Sequence, residues 1–227
     1  MLLKISHLLD PEIRGEGDNV ILKFIHRPCL IERRRLYTET KEATRKAIQD
    51  AIRESPRVLI NTTSGRLCDK DEQAAAFKSL SALVELTTSM TTDIDYARIE
   101  QEVNEYYRCA TFSHKWEVNE PLFDKVVNIV LYDLGESPTH DKLQMFCKIV
   151  RDAGFHWARS DTCCVNKADH FVLQEALVAM FKWYKGSALT VIFLRGVRSP
   201  SQRGDLVRSI WNTRAWTFQE YHASKVV

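Results

Sequence analysis

The sequence lacks the signatures of the commonest chemistries. It has no GxxxxGK[ST] phosphate loop, no GxGxxG and no HExxH, which removes the usual nucleotide-loop and zinc-protease readings. It lacks a charge excess: 32 Lys and Arg stand against 30 Asp and Glu, a formal net charge of +2. A dedicated nucleic-acid surface needs clustered base, and the one basic run, Arg33-Arg34-Arg35, reads as a solvated loop or helix start. No apolar run is long enough for a signal peptide or a transmembrane span, so a cytoplasmic protein away from membranes is expected. The six cysteines, Cys29, Cys68, Cys109, Cys147, Cys163 and Cys164, are irregularly spaced. Neither a disulfide framework nor a structural metal site is expected from them, and a reduced intracellular setting fits. Internal repeats and low-complexity segments are absent as well.

What is present is a chain of 227 residues, 44% of them hydrophobic, enough for one large core or a core with an appendage. Residues 1–105 read as a mainly helical N-terminal extension. Val20 to Ile25 is a short apolar run expected to be a strand, closed by Pro28. A helix over Thr38–Glu54 has only the thin stripe of Ile48, Ala51 and Ile52 and is expected at the periphery. Arg57-Val58-Leu59-Ile60 reads as a short strand. Gln73, Phe77, Leu80 and Val84 predict a helix over Asp69–Thr88, and Ile94, Ala97 and Val103 another over Asp93–Glu105.

From Tyr106 the pattern alternates. Tyr106–Ser113 is β-prone. Pro121 suits the first turn of a helix striped by Leu122, Val126, Ile129 and Val130, with Gly135 as its C-cap. Ser137-Pro138 opens a second, striped by Leu143, Phe146, Cys147 and Val150 and stopped at Gly154. Phe155–Asp161 is the next strand. Asp169 begins a helix with Leu173, Leu177, Met180 and Tyr184 on one face, ended by Gly186. Ala188–Leu194 is the clearest buried strand, and helix resumes at Asp205. Strand, helix pair, strand, helix, strand, helix is the order of an α/β fold with a parallel sheet, here over residues 106–227.

Ligands of open α/β sheets bind beyond the carboxyl ends of the strands. Those ends are Ser113-His114-Lys115-Trp116, Asp161-Thr162-Cys163-Cys164 and Arg195. Near the C-terminus, Trp211 to Tyr221 packs two tryptophans, an arginine and a carboxylate into eleven residues. Trp216 and Glu220 are four apart and share a helical face. On spacing alone Trp216 is core and Glu220 a solvated carboxylate; a functional acid beside an indole is the alternative. The other residues have plain alternatives too: His114 as a surface or cap histidine, Asp161 as a loop cap, Cys163 and Cys164 as small buried hydrophobes. A Cys-His hydrolase built from Cys164 and His114 is a further reading, although nothing marks the thiol as activated.

Tyr107–Trp116 (YRCATFSHKW), followed by Glu120-Pro121-Leu122, resembles the first block of the fungal heterokaryon-incompatibility (HET) domain. Trp157–Lys167 (WARSDTCCVNK) resembles its second block. Trp211–Glu220 (WNTRAWTFQE) resembles the third, of R-G-W-T-x-Q-E type. The blocks cover residues 106–227, and Leu59–Tyr107 looks like the leader of basidiomycete members. The resemblance implies a TIR-like, flavodoxin-like parallel sheet flanked by helices. It implies cleavage of NAD+ at the nicotinamide–ribose bond, with NAD+ as substrate, no cofactor, and Glu220 as the catalytic carboxylate. Ser113, His114, Trp116, Asp161, Cys164, Arg214 and Trp216 would then shape the substrate pocket. In that pocket Arg214 would bind a phosphate or brace the helix, and Trp116 would stack on a flat ring or pack the core. Self-association in non-self recognition and cell death is implied as well, and a non-catalytic, self-associating adaptor is the alternative. The chain departs from the pattern at Ala215, where the family has glycine, and at Glu117, where it has Trp-Gly. The family commonly continues into a further strand, of which Val226-Val227 would be the start.

Overall fold

The computed structural model describes residues 19–78, 81–197 and 202–225, with side chains from residue 30 onward except at 81 and 82. The first element, α1 (Asn19–Glu54), is a helix of 36 residues. It runs through the apolar stretch Val20–Ile25, which is therefore helical and not a strand, and through Pro28. Six apolar residues read alike in either state, and only neighbouring structure decides between them.

A hairpin of β1 (Leu59–Asn61) and β2 (Arg66–Cys68) follows. Its turn is built by Asn61, whose side-chain oxygen accepts from the Thr63 and Ser64 N–H groups at 3.0 and 2.9 Å. Gly65 closes the turn at φ 68°, and a Cβ there would lie 2.6 Å from the Tyr132 ring. The predicted helix over Asp69–Thr88 is covered by α2 (Lys70–Lys78) and α3 (Ser81–Ser89), with Leu80 outside the described residues. Asp69 and Glu72 form a capping box, each side chain accepting from the other's N–H at 2.9 Å. The next helix, α4 (Tyr96–Tyr106), is capped by Asp95.

Three parallel strands carry the rest: β3 (Cys109–His114), β4 (Trp157–Arg159) and β5 (Leu189–Phe193). The sheet order is β2-β1-β4-β3-β5, with β1 antiparallel to both β2 and β4. Counted from Tyr106, the parallel strands lie in the order second, first, third, as a flavodoxin-like sheet begins. The α/β class and the helical N-terminal region are as the sequence predicts. The burial of β5 is not: it is an edge strand, only Thr190 of its five residues being buried.

Between β3 and β4 lie the single-turn α5 (Phe123–Val126) and the longer α6 (Pro138–Asp152). The helix predicted to reach Gly135 stops early because tertiary partners take its backbone. The N–H of Leu131 donates to Gly65 O at 2.7 Å, and its carbonyl accepts from Gln144 at 2.8 Å. α6 does end as predicted. Gly154 at φ 87° closes a Schellman motif, with Phe155 N–H on Val150 O and Gly154 N–H on Arg151 O. α7 (His170–Gly186) connects β4 to β5, capped by Asp169. After β5, the helix expected from Asp205 is broken into α8 (Asp205–Arg208), a 3-10 turn over Ile210–Thr213, and α9 (Thr217–Ala223).

Strand side chains alternate between faces, and each face has its own core. Ile60, Ala110, Phe112 and Ala158 pack with Leu143, Phe146, Cys147 and Val150 of α6. Leu59 and Trp157 pack with Phe77, Ile99, Val103 and Tyr107 of the helical N-terminal region. Next to that second core the sheet surface under α7 and α9 is polar. Thr111 hydrogen-bonds Thr190 at 2.8 Å, and Thr190 hydrogen-bonds Ser224 at 2.7 Å. Among the described residues no helix is long and apolar enough to cross a membrane. Cys68, Cys109, Cys147, Cys163 and Cys164 are free thiols.

Candidate functional site

The last two residues of β3 point opposite ways and enter different networks. Ser113 faces α9. Its hydroxyl donates to Glu220 Oε2 and accepts from Trp211 Nε1 at 2.7 Å. Glu220 is 1% exposed. Arg214 grips it two-pronged, with N–H to oxygen distances of 2.9 and 2.8 Å, the strongest geometry for this pair. Thr217 Oγ1 donates to Trp211 O at 2.7 Å and ties the start of α9 to the 3-10 turn. Burial and the Glu220 charge push the Tyr184 hydroxyl well up, so it stays a neutral donor, on Phe112 O at 3.1 Å.

His114 faces α6. Its ring stacks on Phe112 at 4.3 Å, and Nε2 lies 3.6 Å from Glu120. Neither ring nitrogen has a hydrogen-bond partner among the described residues. Glu120 accepts from the buried Lys142 ammonium and from Glu117 N–H at 3.0 Å. Burial pushes the Glu120 carboxyl up, but the adjacent His114 ring and the hydrogen-bonded Lys142 ammonium outweigh it and hold the group below its ordinary value. This buried trio pins the loop after β3, and that loop displays Lys115 and Trp116. Arg195, at the end of β5, pairs with Glu117 at 2.7 Å.

A cavity of about 440 Å³ opens beyond the carboxyl ends of β3 and β4. Leu173, Ala176, Leu177 and Met180 of α7 give it an apolar wall. Trp116 and Trp216 face it and are 44% and 41% exposed. Trp216 is expected as core on spacing alone and Trp116 as a stacking surface or core, and both stand at the surface. Trp211 is the core indole instead. Trp216 is the N-cap of α9, one helical turn before Glu220, with its carbonyl accepting from Glu220 N–H at 3.0 Å, and its ring lines the cavity.

The cavity is cationic. Lys115, Arg159, Lys167 and Arg214 line it against one carboxylate, Asp161, which accepts from Trp116 Nε1 at 3.3 Å. Lys167 Nζ lies 3.4 Å from the Trp116 ring centroid and is buried without a hydrogen-bond partner. Burial pushes this amine below its usual range, against the pull of Asp161. Arg159 is 3% exposed and stacks on Trp183 at 3.8 Å, with no carboxylate partner among the described residues.

The structure thus gathers Trp116, Asp161, Arg214 and Trp216 around one cavity. Glu220 and Ser113 lie behind Arg214, while His114 belongs to the opposite face of the sheet. Cys164 borders a separate space of about 20 Å³, too small for a substrate. His114 makes no hydrogen bond to it, so the pair lacks the contact a Cys-His nucleophile needs. Arg159 and Lys167 are site residues that sequence reasoning missed. Arg159 ends a strand and Lys167 sits in the loop after it, so the strand-end rule was the signal that could have found them. Chemically, the cavity offers indole surfaces for a flat ring and cations for a phosphate, beside a buried carboxylate.

No protein-family model matches the chain, and no solved structure matches it. Among curated proteins it is similar to the vegetative incompatibility protein HET-E-1 of Podospora anserina, at 36% identity over 74 residues. That match takes in 29% of this chain and 5% of the relative, so the similarity spans only a small part of the relative's length.

Proposed function

We propose that this chain is a fungal incompatibility domain that hydrolyses NAD+ at the nicotinamide–ribose bond, with Glu220 as the acid at the reacting centre, in the service of a cell-death response. One observation carries the reading: the buried carboxylate of α9 lies directly behind a cavity walled by two exposed indoles and four cations, at the carboxyl edge of the parallel strands. The local similarity to a vegetative incompatibility protein supports the biological setting.

The chemistry suits a single carboxylate. As the C1′–N bond breaks, its electron pair returns to the pyridinium nitrogen and nicotinamide leaves neutral, so no general acid is required. The ribose becomes oxocarbenium-like, and a nearby anion stabilises that charge. Water then attacks C1′ and loses a proton, giving ADP-ribose. Lys115, Lys167 and Arg214 supply charge for the diphosphate, and Trp116 or Trp216 a surface for a ring. The assay is nicotinamide release by the purified chain over a range of protein concentrations, beside Glu220→Ala. Release that depends on Glu220 is expected; turnover that survives the substitution refutes the assignment.

A second reading has its own support. Both oxygens of Glu220 are hydrogen-bonded inside the protein, as in a structural ion pair. A non-catalytic adaptor that self-associates would keep Glu220 for that purpose. It predicts concentration-dependent oligomers and no nicotinamide at any concentration.

A further inference from the structure

Arg214 stands between the proposed acid and the cavity. Its side chain is 16% exposed where that of Glu220 is 2%, and it lines the cavity while Glu220 does not. A carboxylate covered in this way cannot face a ribose. The remainder of the cavity is electrostatically incomplete, since Arg159 has no carboxylate partner and Lys167 Nζ no hydrogen bond among the described residues. Arg214 is also set on a joint. The 3-10 turn ends at Thr213 and α9 begins at Thr217, so the residue belongs to neither helix. Its N–H closes the 3-10 turn on Trp211 O at 3.3 Å, and its guanidinium can move by side-chain rotation alone.

We infer that Arg214 is an anion-operated latch: a diphosphate-bearing ligand seated against Arg159 and Lys167 draws the guanidinium off Glu220 and uncovers the carboxylate. This rests on the reading of Glu220 as the reacting acid. Phosphate oxygens accept the same two-pronged donation as a carboxylate and carry more charge, so Arg214 exchanges one bidentate partner for another. Glu220 keeps the Ser113 hydroxyl, which holds its position after the cation has left. The freed anion then stands next to a developing ribose cation. In the empty site the acid is masked, and the ligand's own diphosphate unmasks it. Arg214 is in this sense a positioning residue.

The test uses the full chain with inorganic pyrophosphate as probe. Binding is followed by calorimetry, and accessibility of Glu220 by carbodiimide-coupled amine labelling and peptide mass spectrometry. Saturable binding is expected, weakened roughly tenfold by Lys167→Ala, the loss of one charge-assisted contact. Labelling of Glu220 should rise severalfold at saturation. In Arg214→Gln it should be high without pyrophosphate and rise no further. If that variant does not fold, Arg214→Lys keeps the charge, loses the fork, and should show raised basal labelling. Failure to bind pyrophosphate, or binding that leaves Glu220 labelling unchanged in the wild-type chain, overturns the latch. These readouts need no turnover, so absence of nicotinamide release defeats the catalytic reading while leaving the latch to be judged on labelling alone.

Discussion

The indole N–H of Trp211 donates to Ser113 Oγ at 2.7 Å, and the same hydroxyl donates onward to Glu220. One serine thereby satisfies a buried donor and a buried anion together. Ser113→Ala leaves the Trp211 N–H unpaired and removes one of the hydrogen bonds to Glu220, which keeps the Arg214 fork. The expected loss is about 1–3 kcal/mol of unfolding free energy, the penalty for a buried polar group left unpaired, read as a lower urea midpoint with unchanged slope.

The two tryptophans of the C-terminal stretch should part company under mutation. Trp211 is buried and Trp216 faces the cavity at the surface. Trp211→Ala should destabilise by about 3–5 kcal/mol. Trp216→Ala should stay within about 0.5 kcal/mol of wild type and should instead weaken the binding of an aromatic ligand such as ADP-ribose. Urea unfolding and calorimetry on both variants separate the two.

Glu120 predicts the acid limb. Its folded-state carboxyl lies below the ordinary value because His114 and Lys142 outweigh burial. The associated stability is fully present above the unfolded value of about 4.3. It is lost as pH falls through the depressed folded value. Glu120→Gln should therefore flatten the loss of stability on acidification, measured as urea midpoint against pH. Lys142→Met leaves a buried carboxylate without its ammonium and should cost about 3–5 kcal/mol at neutral pH.

Lys167 predicts a trade. Its amine is buried over the Trp116 ring, has no hydrogen bond among the described residues and is pushed below its usual range. A lysine with a lowered folded value subtracts stability while it is charged, and the penalty is relieved as pH rises from the folded value towards the unfolded one. Lys167→Met should then raise stability at neutral pH by about 1 kcal/mol while weakening pyrophosphate binding. Thermal unfolding and calorimetry should move in opposite senses.

What the sequence made legible follows from local rules. Asp169 and Gly154 bracket their helices as N-cap and C′ residues because backbone geometry at helix ends is decided within a few positions. The alternation from Tyr106 likewise gave the α/β class. Long-range competition hid the rest. Gly65 and Gln144 take the backbone of Leu131 and end a helix that its own stripe would have continued. β5 has an interior strand's composition but lies at the edge of the sheet. At the site, the helical turn that spacing draws from Trp216 to Glu220 is present, but its start is at the cavity surface, so Trp216 is exposed where Glu220 is buried. Nothing in the local pattern marks Arg159, since an arginine at a strand end is ordinarily solvated. In the structure it is buried, stacks on Trp183 and lines the cavity.

Ser113 and His114 are neighbours in sequence and lie on opposite sides of the sheet. Two buried carboxylates, Glu220 above and Glu120 below, take their positions from these adjacent side chains. The register of β3 is therefore a common datum for both. A single-residue insertion or deletion ahead of Ser113 within Cys109–His114 would turn every strand side chain beyond it to the other face, an insertion setting the hydroxyl in the place of the imidazole and a deletion setting the imidazole in the place of the hydroxyl. Of all the changes in length this chain could acquire over evolutionary time, those six residues should accept the fewest.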